Sequence, residues 1–246
     1  MPYNKPNRLM SCLQLAGIGL LLSASVASAA DQPAPTAPGQ TFDLSQYALQ
    51  TPIARRDSVI QVLQPDLHHY ASPYFFLDEA DHAMVFYCPD NGASTHGSHF
   101  PRSELRTTAE WSFSGEHMLK ATLAITQEPQ SRSLIVGQIH GNGEGTEALK
   151  IRWSKGDIVV GIKSSPGNTE ERYTLVRGIP SGERFSYTIA QSDHRVTVTV
   201  NDVSKSFDYD HSWDNGTVYF KAGNYLQDNS ASGSAGMVKF YALSAS

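Results

Sequence analysis

One stretch of the chain, YFKAGNYLQ at residues 219–227, combines a lysine and two tyrosines at a spacing that could do chemistry. Successive side chains of a β-strand point to opposite faces. One face would therefore carry Tyr219, Lys221, Gly223, Tyr225 and Gln227. The opposite face would carry Phe220, Ala222, Asn224 and Leu226. Apart from the asparagine, this second set suits a core, and the first set indicates a binding surface.

Two further segments show the same asymmetry. In RSELR at residues 102–106, the period of two places Arg102, Glu104 and Arg106 on one face, with a leucine on the other. In QIH at residues 138–140, Gln138 and His140 share a face opposite an isoleucine. Three strands with a polar face and an apolar back predict one sheet whose exposed side is a groove.

These side chains fit β-elimination on a uronate polymer. Neutralisation of the sugar carboxylate by Arg102 and Gln138 would favour the enolate-like intermediate. His140 or Tyr225 would then remove the proton from the carbon next to the carboxylate, because a neutral imidazole is a competent base. Tyr225 would protonate the departing glycosidic oxygen, because a phenol is a good general acid. The scheme requires no metal and no organic cofactor, and the sequence has no Asp-rich calcium loop.

The elements that must position these residues are strands. Alternating apolar residues between Gly, Pro, Asn and Asp clusters predict successive strands from residue 59 to residue 242, after a first strand that ends near Ile53. The clearest is RVTVTV at residues 195–200, where Asn201 and Asp202 predict a tight turn into the next strand. The pattern predicts an all-β fold, a two-sheet antiparallel sandwich or β-jelly roll with a concave substrate-binding sheet.

Three loops rich in Gly, Ser and Asn border the three polar strands. They span residues 89–100, 141–147 and 228–236. Loops beside a groove can act as lids, although the same composition is typical of ordinary surface connections.

The N-terminal residues carry the features of an export signal. Residues 1–30 combine a basic start, an apolar run and a small-residue cleavage site, and residues 31–40 predict a flexible leader before a single domain at residues 41–246. We expect a secreted or periplasmic protein that has no membrane association after cleavage. Loss of residues 1–30 would remove two cations and no anion, which changes the formal charge from −5 to −7.

Charge and cysteine content exclude several classes of function. Cleavage would leave Cys88 as the one cysteine, which rules out an intrachain disulfide and a cysteine-based metal site. An acidic chain is a poor ligand for nucleic acid, and we expect a monomer. His96 and His99, near Asp90, lie in a Gly/Ser loop and predict no metal site.

The three motifs also carry a resemblance to a known family. RSELR, QIH and YFKAGNYLQ resemble, in the same order, the signature motifs of the alginate lyases of polysaccharide lyase family 7. The resemblance implies a jelly roll that binds alginate, with the reaction carried out by Arg102, Gln138, His140 and Tyr225. It further implies a groove lined by Glu104, Arg106, Lys221 and Gln227, to which the polar face of the last motif adds Tyr219. The expected activity is endolytic β-elimination at the uronate 4-O-glycosidic bond, and the isoleucine of QIH is associated in the family with guluronate-containing or mixed blocks.

Three alternatives remain open at this point. The substrate could be another polyuronate. A glycoside hydrolase would need two carboxylates about 5–10 Å apart, whereas Glu104 is the one acid on the three polar faces. A non-catalytic sugar-binding module would keep Arg102 and Lys221 but would not need His140 opposite Tyr225. Taken alone, the charges of RSELR could also form a surface ladder of little energetic value.

Overall fold

A computed structural model describes residues 1–2, 34–143 and 145–246, and Pro35–Ser246 form one compact unit. Its first strands are β1 Tyr47–Arg55, β2 Ser58–Val62, β3 Phe75–Asp78, β4 Ala83–Pro89, β5 Arg102–Thr107, β6 Glu116–Gln127, β7 Ser133–Gly141 and β8 Glu147–Ser154. The remaining strands are β9 Asp157–Ile162, β10 Glu171–Val176, β11 Arg184–Ser192, β12 Arg195–Val200, β13 Val203–Asp208, β14 Val218–Leu226 and β15 Ala235–Ala245. The helical segments of the described residues are three short 3-10 turns at Pro38–Gln40, Asp66–His69 and His211–Asn215.

The strands form two antiparallel sheets. An eight-stranded sheet has the order β10-β9-β8-β7-β14-β5-β1-β2, and a seven-stranded sheet has the order β13-β12-β11-β6-β15-β4-β3. The predicted two-sheet sandwich is thereby confirmed. The turn predicted at Asn201 and Asp202 is also present, because Val200 pairs directly with Val203.

The core lies between the sheets, where apolar side chains from both inner faces meet. Polar contacts also cross this core. The Tyr187 hydroxyl donates to the Val136 carbonyl at 2.9 Å, and Asn224 donates to carbonyls of the opposite sheet at 2.8 and 3.3 Å. Asn224, the one polar residue on the predicted core face of residues 219–227, therefore points inward and joins the two sheets.

The three polar strands are immediate neighbours in the eight-stranded sheet, in the order β7-β14-β5. On one side of β14, Lys221 pairs with Gln138 and Tyr219 with His140. On its other side, Gly223 lies directly opposite Glu104. This strand order brings the three motifs side by side on one sheet, as predicted.

The N-terminal part of the predicted domain layout needs one correction. The signal sequence predicted at residues 1–30 lies, apart from residues 1–2, outside the described residues, as do residues 31–33 of the leader. Leader residues Pro38–Gln40, however, form a 3-10 turn in which Pro38 and Gly39 are buried, so this part of the leader is packed. A Cβ on Gly39 would lie 2.6 Å from the His68 carbonyl oxygen, and this close approach explains the glycine. Among the described residues, no helix reaches the length and apolarity needed to cross a membrane.

Candidate active site

A cavity of about 870 Å³ opens on the outer face of the eight-stranded sheet. Its floor consists of side chains from β1, β5, β7 and β14, namely Gln50, Arg102, His140, Tyr219, Lys221 and Tyr225. Its walls come from the β4–β5 connection and from the segment around the β7–β8 turn, namely Thr95, His96, Gly97, Ser98, His99, Gly141, Gly143, Gly145 and Glu147. The cavity therefore collects residues from all three motifs.

A buried carboxylate organises the floor. Glu104 is fully buried and accepts hydrogen bonds from Gln138 Nε2 at 2.6 Å and from Arg102 Nη1 at 3.2 Å. Its ion pair with Lys221 Nζ also measures 2.6 Å. Arg102 lies on the same strand as Glu104 and Lys221 on the neighbouring strand β14, so the carboxylate is held from two strands.

The electrostatics of this cluster favour an anionic ligand. Burial opposes ionisation of Glu104, but the charges of Lys221 and Arg102 outweigh it and hold the pKa of the carboxyl below its usual value. Burial, followed by repulsion from Arg102, lowers the pKa of Lys221 to about 7. With the lysine protonated, the cluster holds two cations and one anion, and its net positive charge attracts a carboxylate.

His140 is poised to accept a proton. Its Nδ1 lies 2.7 Å from the Gly141 carbonyl oxygen, which can only accept, so Nδ1 carries the proton and Nε2 presents a lone pair. Burial and then the charge of Lys221 lower the pKa of His140 to about 4. The imidazole is therefore neutral across the neutral pH range.

Tyr225 is held by a serine that the sequence did not single out. Ser98 Oγ lies 3.0 Å from the Tyr225 hydroxyl and 3.0 Å from Arg102 Nη2. The Ser98 hydroxyl donates its one hydrogen to the Phe100 carbonyl at 3.0 Å. The Tyr225 hydroxyl is therefore the donor in its hydrogen bond with Ser98. The Arg102 guanidinium also lies 3.7 Å from the centroid of the Tyr225 ring, a cation–π contact.

Arg106 belongs to a second, more exposed cluster. Its guanidinium stacks 3.8 Å from the Tyr219 ring centroid and pairs with Glu110 at 2.8 Å. Arg106 therefore pairs with Glu110 and not with Glu104, although both residues of RSELR were predicted on the same face. Lys221 takes its place beside Glu104, and Arg106 contributes to the site through Tyr219, whose hydroxyl lies 3.3 Å from His140 Nδ1.

Two predicted site residues lie elsewhere than expected. Gln138 is fully buried and its amide nitrogen is used by Glu104, so in this structure it supports the cluster rather than facing the cavity. Gln227 lies beyond the end of β14, donates to the adjacent Leu226 carbonyl at 3.1 Å and is not among the residues that line the cavity. The alternation that placed Gln227 on the polar face does not extend past the strand.

The cavity also contains residues that sequence reasoning missed. Gln50 accepts a hydrogen bond from Lys221 Nζ at 2.8 Å, and alternation along β1, where it pairs with Glu104, could have identified it. Ser98 lies in an irregular loop, where no periodic signal exists. Glu147 is the one carboxylate among the described lining residues, and despite burial its ion pair with Lys163 helps to lower its pKa to about 2. The pair of carboxylates that a glycoside hydrolase needs is absent from this described lining.

The three flanking loops differ in their relation to the cavity. Residues of the loops at 89–100 and 141–147 line it directly, as a lid would. The loop at 228–236 instead supports the first loop, because Asp90 accepts backbone hydrogen bonds from Ser232 at 2.7 Å and Ser234 at 3.1 Å. The Asp90 carboxylate therefore accepts hydrogen bonds from serines of the loop at 228–236.

Comparison with known proteins gives a consistent result along the chain. A family model described as "Alginate lyase" matches residues 42–246. An alginate lyase from Klebsiella pneumoniae is 26% identical over an alignment that covers 78% of this chain and 85% of that protein.

Solved structures agree in fold as well as in sequence. Alginate lyase A1-II', a member of polysaccharide lyase family 7, is 34% identical with a TM-score of 0.78, and the match covers 85% of this chain and 97% of that one. A variant of A1-II' in complex with the substrate GGMG is 33% identical with a TM-score of 0.79, covering 86% and 96% of the two chains. An alginate lyase from Pseudomonas aeruginosa is 34% identical with a TM-score of 0.76, covering 83% and 99%.

Proposed function

This chain belongs to the alginate lyases of polysaccharide lyase family 7, and on that premise we propose that its floor residues cleave alginate by β-elimination at the 4-O-glycosidic bond. The catalytic roles of these residues are assigned from one observation. Arg102, His140, Lys221 and Tyr225 line a single cavity, and a buried carboxylate fixes two of them.

The first step is removal of the proton on C5. The uronate carboxylate binds against Arg102 and Lys221, whose charges stabilise the enolate-like intermediate where negative charge develops. His140 Nε2, neutral at working pH, takes the proton. The amide of Gln138 holds Glu104 and becomes available to the substrate only if its bond to that carboxylate opens.

The second step is departure of the leaving group. The electron pair left on C5 forms the C4–C5 double bond as the bond from C4 to the glycosidic oxygen breaks. Tyr225 gives its proton to that oxygen. Solvent then carries the proton from His140 to the Tyr225 oxygen, which restores both groups to their starting state. Tyr225 is itself the alternative base, since its hydroxyl opens on the same cavity.

Substitution of the two proton-transfer groups tests these roles. We expect Tyr225→Phe and His140→Asn each to lower kcat on alginate by at least about a hundredfold, the usual contribution of acid–base catalysis. Turnover is measured from the near-UV absorbance of the unsaturated product, and binding is measured separately by calorimetry. Tyr241→Phe is the matched control, because Tyr241 lies on the seven-stranded sheet and stacks on Arg184.

Full activity of Tyr225→Phe would remove this residue from the mechanism. Reducing ends without new near-UV absorbance in the wild type would favour hydrolysis. Saccharide binding without any turnover by the wild type would favour a binding module.

We propose further that cleavage is endolytic and prefers guluronate-containing or mixed blocks. The strands that carry the reacting groups lie in the middle of the eight-stranded sheet, with three strands on either side of the β7-β14 pair, so a polymer could extend both ways. The related enzyme A1-II' has been solved with the substrate GGMG. Block-defined polyguluronate and polymannuronate, with product sizes followed over time, test both statements. Monomer release from the first minutes onward would contradict the endolytic mode.

The predicted export and monomeric state remain part of this proposal. The apolar N-terminal run supports export, since a polymer such as alginate is met outside the cytoplasm. Immunodetection in cell fractions and medium, together with gel filtration of the purified protein, tests both.

A further inference from the structure

A compact group of metal-binding side chains lies outside the cavity. It consists of His194, in the turn between β11 and β12, and of His211 and Asp214, in the 3-10 turn His211–Asn215. His194 Nε2 lies 2.8 Å from Asp214 Oδ1, and His211 Nδ1 lies 3.3 Å from Asp214 Oδ2. One ligand atom from each residue falls within 4.8 Å of the other two, and this is the one such group among the described residues.

The scaffold that holds these residues is well tied to the core. The His194 backbone donates to the Phe113 carbonyl at 3.3 Å and accepts from the Tyr209 amide at 2.7 Å. Trp213, between the two ligands of the 3-10 turn, is buried and packs against both of those aromatic rings. Asp210 caps the start of the turn. Segments far apart in sequence thus present their side chains from fixed backbone positions.

The ligand set matches the chemistry of zinc. Two imidazole nitrogens and one carboxylate oxygen are a common three-ligand set for Zn²⁺, and ligands bound at about 2.0–2.1 Å in a tetrahedron stand about 3.4 Å from one another. His194 Nε2 and Asp214 Oδ1 are 2.8 Å apart, and one ligand atom from each of the three residues lies within 4.8 Å of the other two, so a small shift of exposed side chains reaches that spacing. The rings of His194 and His211 already approach within 4.1 Å, centroid to centroid.

We propose that His194, His211 and Asp214 bind one divalent transition-metal ion, with Zn²⁺ the best fit and water in the fourth position. The ion has no part in the proposed elimination steps, because its three ligands are not among the residues that line the cavity. It joins the β11–β12 turn to the segment that precedes β14 and so stabilises the folded state.

Zinc titration of the untagged full-length protein, freed of metal with EDTA and desalted, tests this site. We expect one equivalent of Zn²⁺ by calorimetry, a Tm that rises by about 5–10 °C at a hundredfold excess over Kd, and weaker binding on acidification because histidine ligands must be deprotonated. His194→Gln and Asp214→Asn should each weaken binding at least about tenfold, which at the same zinc concentration reduces the rise in Tm to about half or less. Circular dichroism without zinc checks that the variants are folded.

His68→Gln is the matched control, because His68 belongs to another histidine pair, stacked edge-on with His69. This variant should bind zinc like the wild type. The proposal is overturned if the wild type binds no zinc, or if His194→Gln and Asp214→Asn retain full affinity. The second result would assign the ion to other histidines, such as those that line the cavity.

Discussion

The buried carboxylate Glu104 invites a quantitative test, by comparison with the more exposed Glu110. Glu104→Gln keeps the shape of the side chain but removes its charge, which leaves Arg102 and Lys221 without a counter-ion. The Glu104 side chain is 0% exposed, whereas that of Glu110, which pairs with Arg106, is 29% exposed. The two substitutions therefore remove the same charge from environments of very different polarity.

The expected cost follows from this difference in burial. Breaking a buried ion pair by removing one partner costs about 3–5 kcal/mol, because the remaining charge is uncompensated. Loss of a solvent-exposed pair costs about 0–1 kcal/mol. For a domain of this size, 1 kcal/mol corresponds to about 2–4 °C in Tm, so Glu104→Gln should melt about 6–20 °C below the wild type.

Urea unfolding at pH 6 measures the stability lost in Glu104→Gln, at a pH where Arg102 and Lys221 are both charged in the wild type. At pH 8.5 the deficit should shrink, because a lysine with a pKa of about 7 is already largely neutral in the folded state. The direction of this change follows from the proton bound by Lys221. Above a pH of about 7 the lysine is more often protonated in the unfolded chain than in the folded one, so the free energy of unfolding rises with pH. A Glu104→Gln protein no less stable than Glu110→Gln at pH 6 would refute the reasoning and show that water screens the cluster.

Three further predictions concern activity and the floor of the cavity. The pH profile of kcat/KM should fall below about pH 4, where His140 gains a proton, and above about pH 7, where Lys221 loses one; activity that stays flat below pH 4 would contradict the first assignment, and activity that stays flat above pH 7 would contradict the second. Ser98→Ala should lower kcat about tenfold by freeing Tyr225, with the unfolding free energy within about 0.5 kcal/mol of wild type; unchanged kcat would make the serine dispensable. Gly223→Ala should destabilise the protein by about 1–3 kcal/mol, because its Cβ would lie 2.7 Å from the Glu104 Cα at a φ of +150°. Urea unfolding against Gly216→Ala, where a Cβ meets nothing within 4 Å, checks this, and equal stability of the two would count against a tight fit.

The strands and their polar faces could be predicted from the sequence because alternation is a local property. The segment RVTVTV, predicted at residues 195–200, is strand β12 with the same bounds, and RSELR opens β5 at Arg102. The pairing of Glu104 could not be predicted in this way. Its partner Lys221 lies on another strand, and the contact depends on the register that sets Gly223 opposite the carboxylate. Without that register, Arg106 on the same strand is the natural but incorrect choice.

The walls of the cavity were the least accessible to sequence reasoning. Ser98 acts through four contacts of one hydroxyl group in an irregular loop, and no spacing rule marks such a residue. Gln227 shows the opposite error, since its spacing is right but the strand ends one residue earlier, at Leu226. Periodicity indicates which face a side chain takes only as far as the strand continues.

The separation between a floor of paired strands and walls of glycine-rich loops has a practical consequence for engineering. Each of β5, β7 and β14 lies between two neighbouring strands, whereas the segment 95–99 belongs to no strand. Grafting wall segments from relatives with other product lengths, with Ser98 kept in place to hold Tyr225, should therefore change which oligosaccharides accumulate and leave the proton-transfer chemistry intact. Chimeras of this kind would offer a route to tailored oligouronates from a single catalytic scaffold.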